Sequence, residues 1–527
     1  MPTKLLIFRC LFPVLLWLAA GRVSAQVPAP APSGSGLSIV EAVRITLSEN
    51  PILHLQERQV DISRGARILE RGIFDTVLGS SVKQSRVYTP LTKSAQLSAK
   101  QSNIFTSAQS ANLTTTTLDL QKLLPWGISI GPVLNLDRNN DNLTNQTGLN
   151  NSLASFQVTI PLLRNRGRAV VTARERFAEF ELQASFYDLS QTASQLIAGT
   201  AGAYWNQIGA VETLELYRQS EDRGRVLLEN VQTLINADQL PRSEINNVVA
   251  NLADRTTSRI AAEQRLVQAT QSLALAMGVG PSQILSLPEP TDPLPDGLSQ
   301  PDTLMTNLEL DEYIHEAFTR RADYLASKKR IQSSNALLVA ARNQLKPQVD
   351  AVFSAGYAGL QETNRFDKYL SSAFQNVSGP TVIGTLRYSF PFGNHLAEGQ
   401  LVQSVAGFQQ SQLRSTDLER NIASNVVVAA TGLRFSVEQL RKAREASDAF
   451  RAALQAQRDK LRLGVGSLID ILQEEDRYIG ASLNEINARV GYAVNIANFR
   501  LATGTFLLPD QPVQPVSRDL FYVPGIH

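Results

Sequence analysis

The sequence predicts an α+β membrane protein in which one helix–strand–strand–helix unit is written twice. Three observations carry this reading. The same order of elements stands on both sides of a Pro-rich stretch, and such repetition is the first thing to seek in a long chain. Each copy contains strictly alternating apolar and polar segments, the period of a strand. Each copy then runs into an apolar pattern of helical period about 70 residues long, roughly 105 Å at 1.5 Å per residue.

The elements follow in order along 527 residues. Residues 1–25 read as an export signal. Lys4 and Arg9 make a positive start, Cys10–Ala20 is a short apolar run, and Val23-Ser24-Ala25 offers small residues for cleavage near Ala25. A transmembrane anchor is the alternative, but the run falls short of the ~20 apolar residues a bilayer needs. Cys10 comes too early for a lipobox, so no lipoprotein is expected. It is also the only cysteine, so the mature chain holds no disulfide. The formal net charge of +2 becomes −1 once this acid-free segment, with Lys4, Arg9 and Arg22, is removed. A near-neutral chain argues against nucleic acid as a partner. Four scattered histidines argue against a metal centre, and no cofactor motif is present.

Residues 26–37 are a flexible leader. The first repeat spans 38–286: a helical segment, strands within 76–162, and a helical hairpin over 167–278. A Pro-rich linker covers 287–308. The second repeat spans 309–506, with strands over 348–392 and a helical hairpin over 395–504. Residues 507–527 form a tail. Phe156, Val158 and Ile160 alternate with Gln157 and Thr159. Val382, Leu386 and Tyr388 alternate with Ile383, Thr385 and Arg387. No segment after the signal reads as a spanning helix, so membrane residence would require a β-barrel, the other structure that satisfies its backbone in lipid. The first repeat also holds an extra hairpin at 113–136, turning at Leu124-Pro125-Trp126-Gly127. Its place in a barrel wall is open. Trp126, Tyr357 and Tyr388 are candidates for an interfacial aromatic belt, with ordinary packing as the alternative.

The helical segments repeat closely. A shift of 271 sets Leu47 on Phe318, Pro51 on Ala322 and Arg71 on Arg342. A shift of 226 sets Glu244 on Asp470, Ile245 on Ile471 and Gly278 on Gly504. In the last helix Ile469, Leu472, Ile479, Leu483, Ile486 and Val490 step by threes and fours, the spacing of a coiled-coil seam. That seam would contain Asp476.

This order of elements resembles the TolC-like outer-membrane efflux protein family over roughly 37–508. Glu49-Asn50-Pro51-Ile52-Leu53 looks like the family's opening Asn-Pro-x-Leu, and Arg321-Ala322-Asp323 like its Arg-Pro-Asp. Gly464-Val465-Gly466-Ser467-Leu468-Ile469-Asp470-Ile471-Leu472 looks like its Gly-x-x-Ser-x-x-Asp-Val-Leu. The resemblance implies a homotrimer in which each chain gives four strands to a shared 12-stranded barrel in outer-membrane lipid. Long helices would form a periplasmic α-helical coiled-coil barrel. A periplasmic adaptor (membrane fusion) protein and an inner-membrane transporter would be its partners in tripartite efflux or type I export. Physics independently asks for oligomerisation, because a few strands cannot close a barrel and an open edge cannot sit in lipid.

The resemblance also places a periplasmic gate at the hairpin tips. Asp470 matches its gate aspartate, and Ser243-Glu244 match a first-half Thr-Asp. Glu474 is a further lumen candidate. In a threefold assembly each inward acid would become a ring of three charges that favours cations. A solvated helix face is the alternative for each. Gln473 stands at the family's second gate aspartate, while Leu461 and Gly466 stand where some members carry a locking Tyr and Arg, so that lock is expected to be absent or rebuilt. Leu240, Pro241, Gly464, Gly466 and Ser467 are candidate adaptor contacts, with simple chain turning as the alternative. The expectation is a passive channel and not an enzyme. A periplasmic coiled-coil scaffold and a secreted hydrolase are the competing classes, and the cargo is not legible.

Overall fold

The computed structural model describes residues 36–280, 282, 287–296, 307–463, 465–508 and 516–524. The signal segment, the leader up to Ser35, part of the linker and Gly464 lie outside them. The first repeat contains α1 (Ile39–Glu49), α2 (Pro51–Arg71), β1 (Thr76–Pro90), α3 (Lys93–Gln101), β2 (Ala108–Leu123), β3 (Ser129–Asp141), β4 (Leu149–Pro161), α4 (Arg168–Val171), α5 (Ala173–Asn236) and α6 (Glu244–Met277). The second contains α7 (Asn307–Arg320), α8 (Ala322–Gln344), β5 (Gln348–Glu362), α9 (Asp367–Ser371), β6 (Ser378–Ser389), α10 (His395–Arg462) and α11 (Leu468–Thr503).

The helices make four columns. Helices α5, with 64 residues, and α10, with 68, are continuous rods of about 100 Å. The other two columns are spliced from two helices each. At the first joint α6 ends on Gly278, left-handed at φ +76°. There it abuts the start of α2, where the Asn50 side chain accepts from Ile52 N at 2.9 Å and donates to Ala276 O at 2.8 Å. At the second joint α11 ends on Gly504, at φ +74°, against the start of α8. Arg321 donates to Ala502 O at 3.2 Å and is steered by Asp323 at 2.6 Å. The Asn-Pro and Arg-Ala-Asp motifs are therefore splices that satisfy the orphan carbonyls of a finishing helix and open the next one.

Ion pairs and hydrogen bonds show the lateral order. Glu179 of α5 pairs with Arg67 of α2, and Glu221 of α5 with Arg259 of α6. On its other side α5 meets α8 through Ser333–Glu181 and α11 through Arg489–Glu212. Helix α10 then packs on α8 and α11, with Ser334 beside Ser411 and Ser447 beside Ser482. The order is α6+α2, α5, α11+α8, α10. Column α11 thus has neighbours on both flanks and buries two stripes. One of them is Leu468, Ile471, Glu475, Ile479 and Ser482. This corrects the single expected seam: Ile469 is 48% exposed and Asp476 is exposed, while Glu475 occupies the buried row.

Six strands, not the four expected per chain, form one antiparallel sheet in the order β1-β2-β3-β4-β5-β6. The extra hairpin is inserted between β1 and β4. It pairs over Thr76–Pro90 with Ala108–Lys122 on one side, and over Ser129–Asn139 with Leu149–Thr159 on the other. Cross-strand partners place Leu78, Leu118, Leu120, Leu134, Phe156, Phe353 and Leu386 on one face. The opposite face holds Thr115, Thr117, Asn135, Asp137, Gln157 and Arg387, joined in places by bonds such as Thr115 Oγ1 to Asp137 Oδ1 at 2.7 Å. Toward the loop end, the β5–β6 connection folds over the first face, where the buried Tyr369 hydroxyl donates to Leu136 O at 2.8 Å. Trp126, Tyr357 and Tyr388 are all exposed. Trp126 lies in the turn at the helix end of the sheet, and the two tyrosines lie on the apolar face.

The largest buried cluster sits midway along the rods around Tyr204 and Trp205 of α5. Asp292 of the linker gathers the periphery there, accepting from Ile39 N at 2.7 Å, the Tyr204 hydroxyl at 3.0 Å and Arg518 at 2.8 Å. Among the described residues, no helix is long and apolar enough to cross a membrane.

Candidate functional site

The two hairpin tips, far from the sheet, enclose a cleft of about 620 Å³. Helix α5 ends in a turn that uses Asp238 at φ +57°, and Pro241 precedes α6. On the other hairpin Ser467 caps α11, its hydroxyl accepting from Ile469 N at 3.2 Å. The cleft brings together Leu240, Pro241, Glu244, Gly466 and Ser467 among the sequence candidates, with Leu461. Asp470 is exposed and does not line it, and Ser243 is also exposed. Glu474 pairs with Arg477 of its own helix at 2.7 Å. The candidate acids therefore do not converge within one chain.

A different acid organises the cleft. Glu475 is 2% exposed and meets three arginines from three other helices. Arg223 of α5 donates from Nε to one carboxylate oxygen at 2.6 Å, and Arg458 of α10 donates to the other at 2.8 Å. Arg255 of α6, itself 5% exposed, stands 3.7 Å away and also donates to Ser220 O at 3.1 Å. Burial and the neighbouring Arg223 and Arg458 push the Arg255 guanidinium down, against the pull of Glu475 and Asp476. One carboxylate thus ties α11 to every other column at this level. Glu475 was not among the candidates the sequence offered. Four-residue spacing from Ile471 and to Ile479 was the available signal for its burial.

A second tie lies one turn away. Glu221 of α5 accepts from Arg259 at 2.5 Å and from Thr256 at 3.1 Å, and pairs with Arg225 at 2.7 Å. Burial alone would raise its pKa, but the Arg259 and Thr256 hydrogen bonds and the Arg225 charge hold it below the usual glutamate range. A depressed carboxylate contributes stability above its unfolded pKa and loses it as pH falls through the folded one. Glu221→Gln should therefore lower thermal stability at neutral pH. The gap to the unsubstituted protein should close on acidification below the ordinary glutamate range, as melting curves at stepped pH would show. A gap that persists at low pH would contradict the assignment.

The comparisons agree with this architecture. Residues 313–505 match the model of the outer membrane efflux protein family. Among solved structures the chain resembles the outer-membrane channel OprN at TM-score 0.63 and 16% identity, covering 89% of this chain and 90% of that one. It resembles the Campylobacter jejuni CmeC outer membrane channel at 0.63 and 12%, covering 90% and 87%. It resembles the open state of the Neisseria gonorrhoeae MtrE outer membrane channel at 0.59 and 16%, covering 90% and 91%. No curated protein matches in sequence. The fold is shared with outer-membrane efflux channels, and the resemblance to TolC-like proteins carried by the sequence motifs is borne out.

Proposed function

We propose that this chain is the trimeric outer-membrane channel of a tripartite efflux or type I export system. It would conduct solute delivered by a periplasmic adaptor and an inner-membrane transporter. The observation that carries the reading is the pairing of two walls with the same lateral order. Strand β1 continues α2, β4 leads to α5, β5 follows α8, and β6 leads to α10. The free edges therefore lie on the same sides in both walls: β1, α2 and α6 on one, β6 and α10 on the other. A sheet with one apolar and one polar face suits lipid outside and water inside. On α2, Leu55, Ile62 and Leu69 are exposed at seven-residue spacing, and on α10 so are Val428 and Phe435. These are seams that lack a partner within the chain.

Cyclic closure would place the hairpin tips at the periplasmic mouth, with Leu240, Pro241, Gly464, Gly466 and Ser467 presented to the adaptor. Glu475 with its three arginines would hold the mouth shut, in place of a lock through positions 461 and 466. Asp470, Glu244, Ser243 and Glu474 would border the bore. Localisation would be the outer membrane after cleavage near Ala25, without a lipid anchor.

A periplasmic scaffold without transport activity is the other reading, which the exposed apolar row of Leu78, Phe156, Phe353 and Leu386 argues against. Outer-membrane fractionation followed by planar-bilayer recording separates the two: a soluble protein with no conductance would reject the channel. Within the channel reading, Asp470→Ala should reduce cation preference. Unchanged selectivity and conductance would remove Asp470 from the bore.

A further inference from the structure

We infer that the extra hairpin is part of the membrane wall, so that three chains close an 18-stranded barrel over a tunnel of twelve helical columns. The inference rests on the channel reading above and goes beyond it in the wall's strand count and width.

The hairpin is paired as fully as the other strands. Strand β1 meets β2 at every residue from Thr76 to Pro90, and β3 meets β4 from Ser129 to Asn139. No β1–β4 pairing exists in this sheet, so removing the hairpin would leave two open edges. Its alternation is also that of a membrane wall. Leu118, Leu120 and Leu134 continue the apolar face, and Thr117, Asn135 and Asp137 continue the polar one. A hairpin lying in water would have no reason to keep that apolar row in register with Leu78 on one side and Phe156 on the other.

The base of the hairpin is pinned in line with the wall. Trp126 O accepts from Gly167 N at 3.1 Å, just before α4. Gly127, at φ +93°, comes so near Asn165 O that a Cβ there would lie 2.3 Å from it. No helix continues from β2 or β3, so the sheet has two more strands than the helical layer has columns. Six is an even number, so β6 of one chain runs antiparallel to β1 of the next, and the ring closes without a parallel pair.

Strand spacing near 4.8 Å and a tilt near 40° give a backbone diameter of about 36 Å for 18 strands, against about 24 Å for 12. At the same tilt the outer-membrane section would be about half as wide again as a twelve-stranded one.

The test uses cysteine pairs in the full chain, whose native Cys10 is lost with the signal or replaced by serine. One row crosses four strands: Ser80, Leu118, Leu134 and Ala154. With the hairpin in the wall, Ser80 and Ala154 are three strand spacings apart, about 14 Å. With the hairpin outside, they would be neighbours at about 5 Å. In isolated outer membranes, a short thiol cross-linker should join the pair S80C/L118C and the pair L134C/A154C within one chain, and leave S80C/A154C unjoined. Efficient S80C/A154C linking with loss of the other two would overturn the 18-stranded wall while leaving a channel. Imaging of the trimer in lipid discs should count 18 strands. A twelve-stranded ring would overturn this inference alone, and a monomer or a protein outside the membrane would overturn it together with the channel reading.

Discussion

Glu475→Ala is expected to give the largest functional change of any single substitution: a channel that opens without its partners. Among the described residues, this carboxylate is the one acid that pairs with all three arginines of α5, α6 and α10. Removing one member of a buried ion network leaves uncompensated charge, at a cost of about 3–5 kcal/mol. The lower end applies here, because the side chains of Arg223 and Arg458 retain 26% and 33% of their exposure and can turn toward water. Arg255, at 5%, cannot, and its repulsion from the other two then pushes the columns apart. In planar bilayers the Glu475→Ala protein should show raised mean conductance, and in cells it should leak small antibiotics inward. Glu475→Gln keeps the volume and loses the charge, so it should share the phenotype. If Gln behaved like the unsubstituted protein while Ala did not, packing rather than charge would close the mouth. If both kept the closed conductance, Glu475 would be a structural tie with no part in gating.

Much of this was legible in the sequence, because the repeat is written in residues with fixed local duties. Gly278 and Gly504 are related by the shift of 226, as are Ala276 and Ala502, while Asn50 and Arg321 are related by the shift of 271. The structure shows why both shifts matter: each joint brings one member of each set together. Alternation likewise announced strands around Phe156 and Val382. Two things were not legible. Whether Leu113–Leu136 joins the wall depends on pairing with β1 and β4, which lie outside the segment, and alternation within a hairpin says nothing about its neighbours. The resemblance pointed the wrong way there, toward four strands per chain. The second is Glu475. A helix between two neighbours carries two buried stripes, so one heptad trace selected Asp476 and passed over the acid beside it.

Gly278→Val is expected to cause the largest loss of assembled protein. Two independent costs meet at this residue. Its φ of +76° is left-handed, which costs a residue with a Cβ roughly 1–2 kcal/mol, and a β-branched one at least as much. A Cβ would also lie 2.5 Å from Asn50 Cα and 2.9 Å from Pro51 Cδ, at the first turn of α2. Neither atom belongs to a flexible side chain, so α2 itself must move, at about 1–3 kcal/mol by comparison with overpacked cores. Helix α2 leads directly into β1, an edge strand, so a shift at the splice displaces the edge that must meet the next chain. The matching joint is more forgiving: a Cβ on Gly504 would come no nearer than 3.0 Å, to Arg321 N, with Arg320 C and Arg321 Cγ at 3.1 Å. Heat-resistant trimer recovered from outer membranes should therefore fall in the order unsubstituted, Gly504→Ala, Gly278→Ala, Gly278→Val. Equal recovery of the two alanine proteins would mean that left-handed backbone strain alone sets the cost. Full recovery of Gly278→Val would mean that α6 and α2 do not form one column in the assembled channel.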